Sequence, residues 1–221
     1  MIKNSPSYLI ALAVSLISVP GYSEELRVSI TDLLAESGLA DAVVELQPKE
    51  TWSIAVSPVE TSVDQVDKEF VSGVTVVPRG SRVSFPNSDD ILHHVYSFSP
   101  AKTFDIPLYG SDENREHYES FSKSGIVEIG CNIHDWMLAY IYVADSALVA
   151  KTDKHGIADF RSLKPGAYSV KIWHSRMGTA GFVTRDIAIG ADEAKVLSVT
   201  LDLEPERRIR RAPTSTRNRY R

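Results

Sequence analysis

The sequence predicts an all-β protein built from more than one small β-sandwich, and three observations carry that expectation. Segments such as TFDIPLYG, IVEIG and LAYIYV have strand character, and FVSGVTVVPRGSRVSF alternates apolar and polar residues around a Pro-Arg-Gly turn. Very little helix is expected anywhere. At 221 residues the chain is also longer than one small β domain requires.

Residues 1–23, MIKNSPSYLIALAVSLISVPGYS, combine one Lys, an apolar stretch over residues 9–19 and the small residues Gly21 and Ser23 ahead of Glu24. This pattern predicts a secretory signal peptide cleaved after Ser23, and hence export to the periplasm. No cysteine lies near that point, so no lipoprotein anchor is expected, and no later apolar run is long enough to span a bilayer. Next, LRVSITDLLAESGLADAVVELQP, residues 26–48, reads as a strand, an Asp-x-x-x-x-Ser-Gly turn and an Ala-Val-Val-Glu-Leu strand.

The chemistry is concentrated further on. The chain's one cysteine lies in CNIHDWM, which places Cys131, His134 and Met137 in one short loop. Thiolate, imidazole and thioether are soft donors suited to copper, and a His2Cys set with a weak axial Met is a one-electron site. Such a site needs a second histidine. The upstream segment FPNSDDILHHV, residues 85–95, offers His93 and His94. A lone cysteine cannot close an internal disulfide, which is unusual in an exported protein and sensible if the thiolate is reserved for metal.

The spacing Phe85-x-Asn87-x5-His93 resembles that of the cupredoxins plastocyanin, pseudoazurin and amicyanin, whose pattern runs aromatic, Asn, then His-Asn-Val. That resemblance implies His93 as the ligand, with His94 at the family's Asn position. Phe121, Gly125 opening IVEIG, and Cys131 six residues after the glycine match too, and Cys-x2-His-x2-Met resembles the short loop of amicyanin. The implied fold is a Greek-key sandwich over residues 61–144. The implied cofactor is one type 1 copper ion on His93, Cys131, His134 and Met137, with Asn87, His94, Asn132 and Ile133 around them.

Two residues depart from the pattern. Ile133 stands where a proline is usual, so its amide becomes available to the Cys131 sulfur alongside that of His94. Gly130 stands where an aromatic usually precedes the cysteine. Asp135 and Trp136 flank His134, and Trp136 is either a contact for a redox partner or a cap on the metal pocket. His117, His155 and His174 read as ordinary.

The polar, acidic residues 111–120 are expected to form a surface loop or short helix. Downstream, residues 151–174 (KTDKHGIADFRSLKPGAYSVKIWH) hold a Thr-Asp-x-x-Gly turn, a Leu-x-Pro-Gly corner and the strand AYSVKIW. They resemble the second half of carboxypeptidase-regulatory-like β-sandwiches, an Ig- or transthyretin-like fold, and residues 26–48 resemble the first half. The expected organisation is one sandwich divided between residues 24–60 and 145–203, with the copper module inserted. The competing arrangement has the same pieces folding in sequence. The whole layout resembles exported bacterial proteins labelled methylamine utilization or plastocyanin-like, which implies a role beside an amine-oxidising dehydrogenase.

Residues 204–221 hold seven arginines and two glutamates and are expected to be disordered. The whole chain has a net charge of −5, so the body is more acidic than that figure and the tail basic. An acidic body would steer a basic partner such as a c-type cytochrome and argues against nucleic-acid binding. The expected function is therefore a periplasmic electron carrier with protein redox partners, not an enzyme. Copper storage or delivery is the alternative, disfavoured by only three Met with one in the signal. A cell-envelope scaffold without redox chemistry is the other.

Overall fold

The computed structural model describes residues 24–50, 54–112, 116–178, 181–191 and 194–205. The predicted signal peptide and nearly all of the basic tail lie outside the described residues. The chain is all-β, with one turn of 3-10 helix, Ser175–Met177. It opens with β1 (Glu25–Asp32), β2 (Ser37–Gly38) and β3 (Val43–Pro48). Then follow β4 (Glu60–Ser62), β5 (Asp64–Val66), β6 (Glu69–Val71), β7 (Val74–Pro78) and β8 (Ser81–Ser84). The middle of the chain supplies β9 (His93–Ser99), β10 (Lys102–Tyr109), β11 (Tyr118–Phe121), β12 (Gly125–Gly130) and β13 (Leu138–Ala144). Last come β14 (Val149–Lys151), β15 (Ile157–Phe160), β16 (Gly166–Trp173), β17 (Val183–Ile189) and β18 (Ala194–Leu201).

These strands surround two apolar cores. Sheets ordered β15-β1-β18 and β14-β3-β16-β17 enclose Leu26, Val28, Ile30, Val44, Leu46, Tyr168, Val170 and Ile172. In them Leu46 stands opposite Val170 and Leu26 opposite Phe160. Sheets ordered β10-β9-β12-β13-β7 and β11-β8-β4, with the β5-β6 hairpin, enclose Phe85, Val95, Phe104, Phe121, Val127, Ile129 and Ile141. The Pro-Arg-Gly corner does not make a hairpin. Strand β7 pairs in parallel with β13, whereas β8 pairs in parallel with β4 and antiparallel with β11, so the chain crosses from one sheet to the other at Gly80, whose φ of 93° suits glycine.

The near-continuous apolar run of β13 is explained by burial on both faces. Ala139, Ile141 and Val143 enter the second core. Tyr140, Tyr142 and Ala144 instead meet Val43 and Trp173 of the neighbouring sandwich in a third cluster. Trp173 is fully buried there, with ring centroids 5.3 Å from Tyr140 and 6.0 Å from Tyr142. Beside them Glu45 is 1% exposed and accepts from Tyr142 Oη at 2.7 Å and from the amides of Asp145 and Ser146. Burial, reinforced by Glu45, pushes the Tyr142 hydroxyl far above its ordinary pKa, so it stays a donor. The two sandwiches thus share a desolvated, hydrogen-bonded seam.

One expectation is overturned. Residues 118–120 are not loop or helix but the start of β11, which pairs with β8 in register Tyr118↔Ser84 to Phe121↔Ser81. An outer strand can be polar along its exposed side, and only Phe121 of β11 is buried, so alternation was hard to see.

Beyond the second sheet, Arg176 binds the buried Asp32 carboxylate and the carbonyls of Leu203 and Glu204, tying the end of β18 to β1. The Arg176 hydrogen bond, outweighing burial, holds Asp32 below the usual carboxylate range. A depressed carboxylate stabilises above its unfolded value and loses that contribution as pH falls through the folded one. Arg176→Met should therefore cost about 3 kcal/mol near neutral pH, since it strands a buried charge. Urea melts should show the gap to wild type closing below about pH 4. A constant gap down to acid pH would exclude this role.

Candidate metal centre

The segment between β12 and β13 contains the sulfur and one imidazole. Gly130 pairs with Leu138 at its base, Met137 N–H donates to the His134 carbonyl at 2.8 Å, and Cys131 N–H donates to the Met137 carbonyl at 3.4 Å. Short loops closed by their own backbone bonds leave side chains few directions. Cys131 and Met137 turn into the core, 3% and 2% exposed, while His134 stays partly exposed. The second imidazole, His93, opens β9 and is fully buried.

These pieces converge. Cys131 Sγ lies 4.0 Å from His93 Nδ1 and 3.7 Å from His134 Nδ1, and the two Nδ1 atoms are 3.2 Å apart. All three atoms fall within 4.8 Å of one another, the one such cluster among the described residues. Two imidazoles and a thiol facing a common point form a donor set that fits copper. Burial, then the neighbouring His93 and the Lys68 ammonium, hold His134 below the ordinary histidine pKa, which keeps a lone pair free for a metal. Met137 packs in the same core cluster as Cys131.

The segment before β9 is braced by Asn87. Its Nδ2 donates to the carbonyls of Ile91 at 2.9 Å and Tyr109 at 3.0 Å, and its Oδ1 accepts from the Asp89 amide at 3.0 Å. Asp89 in turn contacts His93 Nε2 through Oδ2 at 2.6 Å. Burial works to raise the Asp89 carboxyl. Hydrogen bonds from His93 and from the Lys68 and Asp67 amides overcome it and leave the group below its usual range. Asp89 is not legible as a site residue in the sequence, because Asp-Asp after Asn-Ser reads as turn composition; its one signal is a carboxylate four residues before His93.

The remaining expected residues are placed as follows. Asn132, Ile133 and Asp135 are exposed. His94 sits on the other side of β9, with Nε2 3.1 Å from Asp105 Oδ1 and its ring 5.4 Å from Tyr96. Among the described residues the polar contacts of Cys131 Sγ run to the two imidazoles, and neither the Ile133 nor the His94 amide is one of them. Gly130 has a structural explanation. A Cβ there would stand 3.1 Å from the ring of Tyr96, which lies opposite it on β9, so an aromatic from the neighbouring strand fills the space. Trp136 is half-buried, 5.2 Å from the His134 ring, and its Nε1 donates to the Lys68 carbonyl at 3.0 Å. An open groove beside the loop is lined by Tyr96, Phe98, Gly130, Met137 and Leu138.

No helix among the described residues is long and apolar enough to cross a membrane. No family model and no curated protein matches the chain. Among solved structures, the chain is similar to a copper-containing nitrite reductase from Thermus scotoductus SA-01, at 25% identity and a TM-score of 0.37, over 45% of this chain and 25% of that one. It therefore spans about a quarter of that enzyme's length. It is also similar to a purple cupredoxin from Nitrosopumilus maritimus, at 17% identity and a TM-score of 0.34, over 38% of this chain and 99% of that one. A pseudoazurin from Sinorhizobium meliltoi follows at 21% identity and a TM-score of 0.31, over 40% of this chain and 76% of that one.

Proposed function

We propose that this protein is an exported, periplasmic electron carrier holding one type 1 copper ion on His93, Cys131, His134 and Met137. The observation that supports this reading most is the convergence of two Nδ1 atoms and one Sγ within 4.8 Å at the buried end of a β-sandwich. Bound there, copper would supply one-electron exchange through a thiolate-dominated ligand set. The chain's own residues do the rest. Strands β9, β12 and β13 hold the donors from two sides, so the frame need not rebuild when the charge of the centre changes. His134 is the most exposed of the three donors, the other two being buried, and electrons would pass through its ring. Exposed Ile133 and Asp135 stand beside it in sequence, and the Trp136 ring lies 5.2 Å from its own.

The acidic body favours a basic protein partner such as a c-type cytochrome as acceptor, with a dehydrogenase, in amine oxidation, as donor. Titrating the purified mature protein with Cu(II) tests the proposal. One equivalent should produce an intense visible charge-transfer band that bleaches and returns over repeated one-electron cycles. Weak colour with easy loss to a chelator would favour copper delivery instead, and no stoichiometric binding would favour a scaffold.

A further inference from the structure

The β5-β6 hairpin turns at Asp67 and Lys68, both with positive φ, 54° and 62°. Two-residue turns of this kind favour Asn and Gly, and a lysine there carries some strain. What the turn gains is contact with both donor-bearing segments at once. The Asp67 amide donates to Asp89 Oδ1 at 2.7 Å and the Lys68 amide to Asp89 Oδ2 at 2.9 Å. The Lys68 carbonyl accepts from Trp136 Nε1 at 3.0 Å, on the Cys131 to Met137 loop. Asp89 passes the constraint on to His93 at 2.6 Å, where the imidazole side chain is 0% exposed and the carboxylate 11%.

We infer that Asp89, clamped by the Asp67–Lys68 turn, is a positioning residue that fixes His93 with its proton on Nε2 and its Nδ1 lone pair aimed at Cys131, and that it biases the centre toward the oxidised metal. The inference rests on the proposed copper site. A buried imidazole accepts no other orientation once Nε2–H is committed to a carboxylate, and the bond strengthens the opposite nitrogen as a donor. A stronger donor favours the more highly charged Cu(II) over Cu(I). The hairpin supplies the rest of the design. With two backbone amides on its oxygens, Asp89 cannot swing away, and the hydrogen bond to Trp136 sets the spacing between the hairpin and the His134 side of the site.

Two measurements on the full chain separate this inference from the copper assignment. In the metal-free protein, nitrogen NMR of the imidazoles should find the Asp89-facing Nε2 of His93 protonated and Nδ1 bare. In Asp89→Asn, which keeps the shape and one acceptor oxygen but removes the charge, copper should still bind and colour the protein. Competition with chelators should then show Cu(II) affinity falling about tenfold relative to Cu(I), which reads as a rise of about 59 mV in reduction potential for a one-electron couple. Wild-type His93 protonated on Nδ1 alone would overturn the inference without copper entering the experiment. So would a coloured Asp89→Asn protein with unchanged potential, which would leave the carrier proposal standing. Failure of wild type to bind copper, with His93 protonated on Nε2 against Asp89, would remove the carrier proposal and the redox bias while supporting the positioning role.

Discussion

Replacing Cys131 with serine is expected to abolish the intense visible band altogether. The band requires charge transfer from an ionised sulfur, and a serine hydroxyl is neither soft nor ionised at neutral pH, so metal preference shifts away from copper as well. The fold should survive. Cys131 is 3% exposed and touches two ring nitrogens at 3.7 and 4.0 Å, so a hydroxyl of nearly the same size retains polar neighbours. Met137→Leu is the informative companion. It is a volume-conserving change in a packed site, costing under about 1.5 kcal/mol, and it should leave a coloured centre with a higher potential. His93→Gly should lose the normal site, whereas His94→Asn should keep it, because His94 faces Asp105 and Tyr96 rather than the sulfur. Absorption spectra of these four variants and of His94→Gly after addition of one equivalent of Cu(II) decide the matter. A normal blue spectrum in His93→Gly, with loss in His94→Gly, would refute the ligand assignment.

The contrast between His93 and His94 also shows what a sequence can and cannot reveal. Residues bound by short spacers, such as Cys131, His134 and Met137, stay together in any fold that closes the loop, so their grouping is legible in one dimension. Phe85, Asn87 and His93 are legible for the same reason. Contacts made across the sheet are not. Tyr96 filling the space over Gly130, and the Lys68 carbonyl receiving Trp136, depend on strand register and on a hairpin 68 positions away in sequence from the tryptophan. Asp89 was hidden differently, since its surroundings promised only a turn. Glu45 inside AVVEL looked like the polar half of an alternating strand. It is buried because a second sandwich covers that face, and its charge is satisfied by Tyr142 and two amides that lie about a hundred residues on.

Residues 145–203 expressed alone are expected not to fold, and to fold once residues 24–50 are joined to them. In the sheet ordered β15-β1-β18 the central strand is β1, and in β14-β3-β16-β17 the inner strand β3 bridges β14 to β16. Removing residues 24–50 therefore splits one sheet into two unpaired edges and leaves the other as the β16-β17 hairpin with a detached β14. It also strips Leu26, Val28, Ile30, Ala42, Val44 and Leu46 from the core around Tyr168, Val170 and Ile172. Hairpins without a third strand or a packed face are marginal in water, and neither half can bury its apolar side alone. Residues 57–147, which hold β4 to β13 and the Asp67–Lys68 turn, should by contrast fold and take up copper. Their exposed Tyr140 and Tyr142 face should make the fragment less soluble than the whole chain. Near-ultraviolet circular dichroism and thermal melts of the three fragments would show it. A cooperative melt from residues 145–203 alone would mean that the sandwich does not need its first strands, and the pieces would then be read as folding in sequence rather than around an insertion.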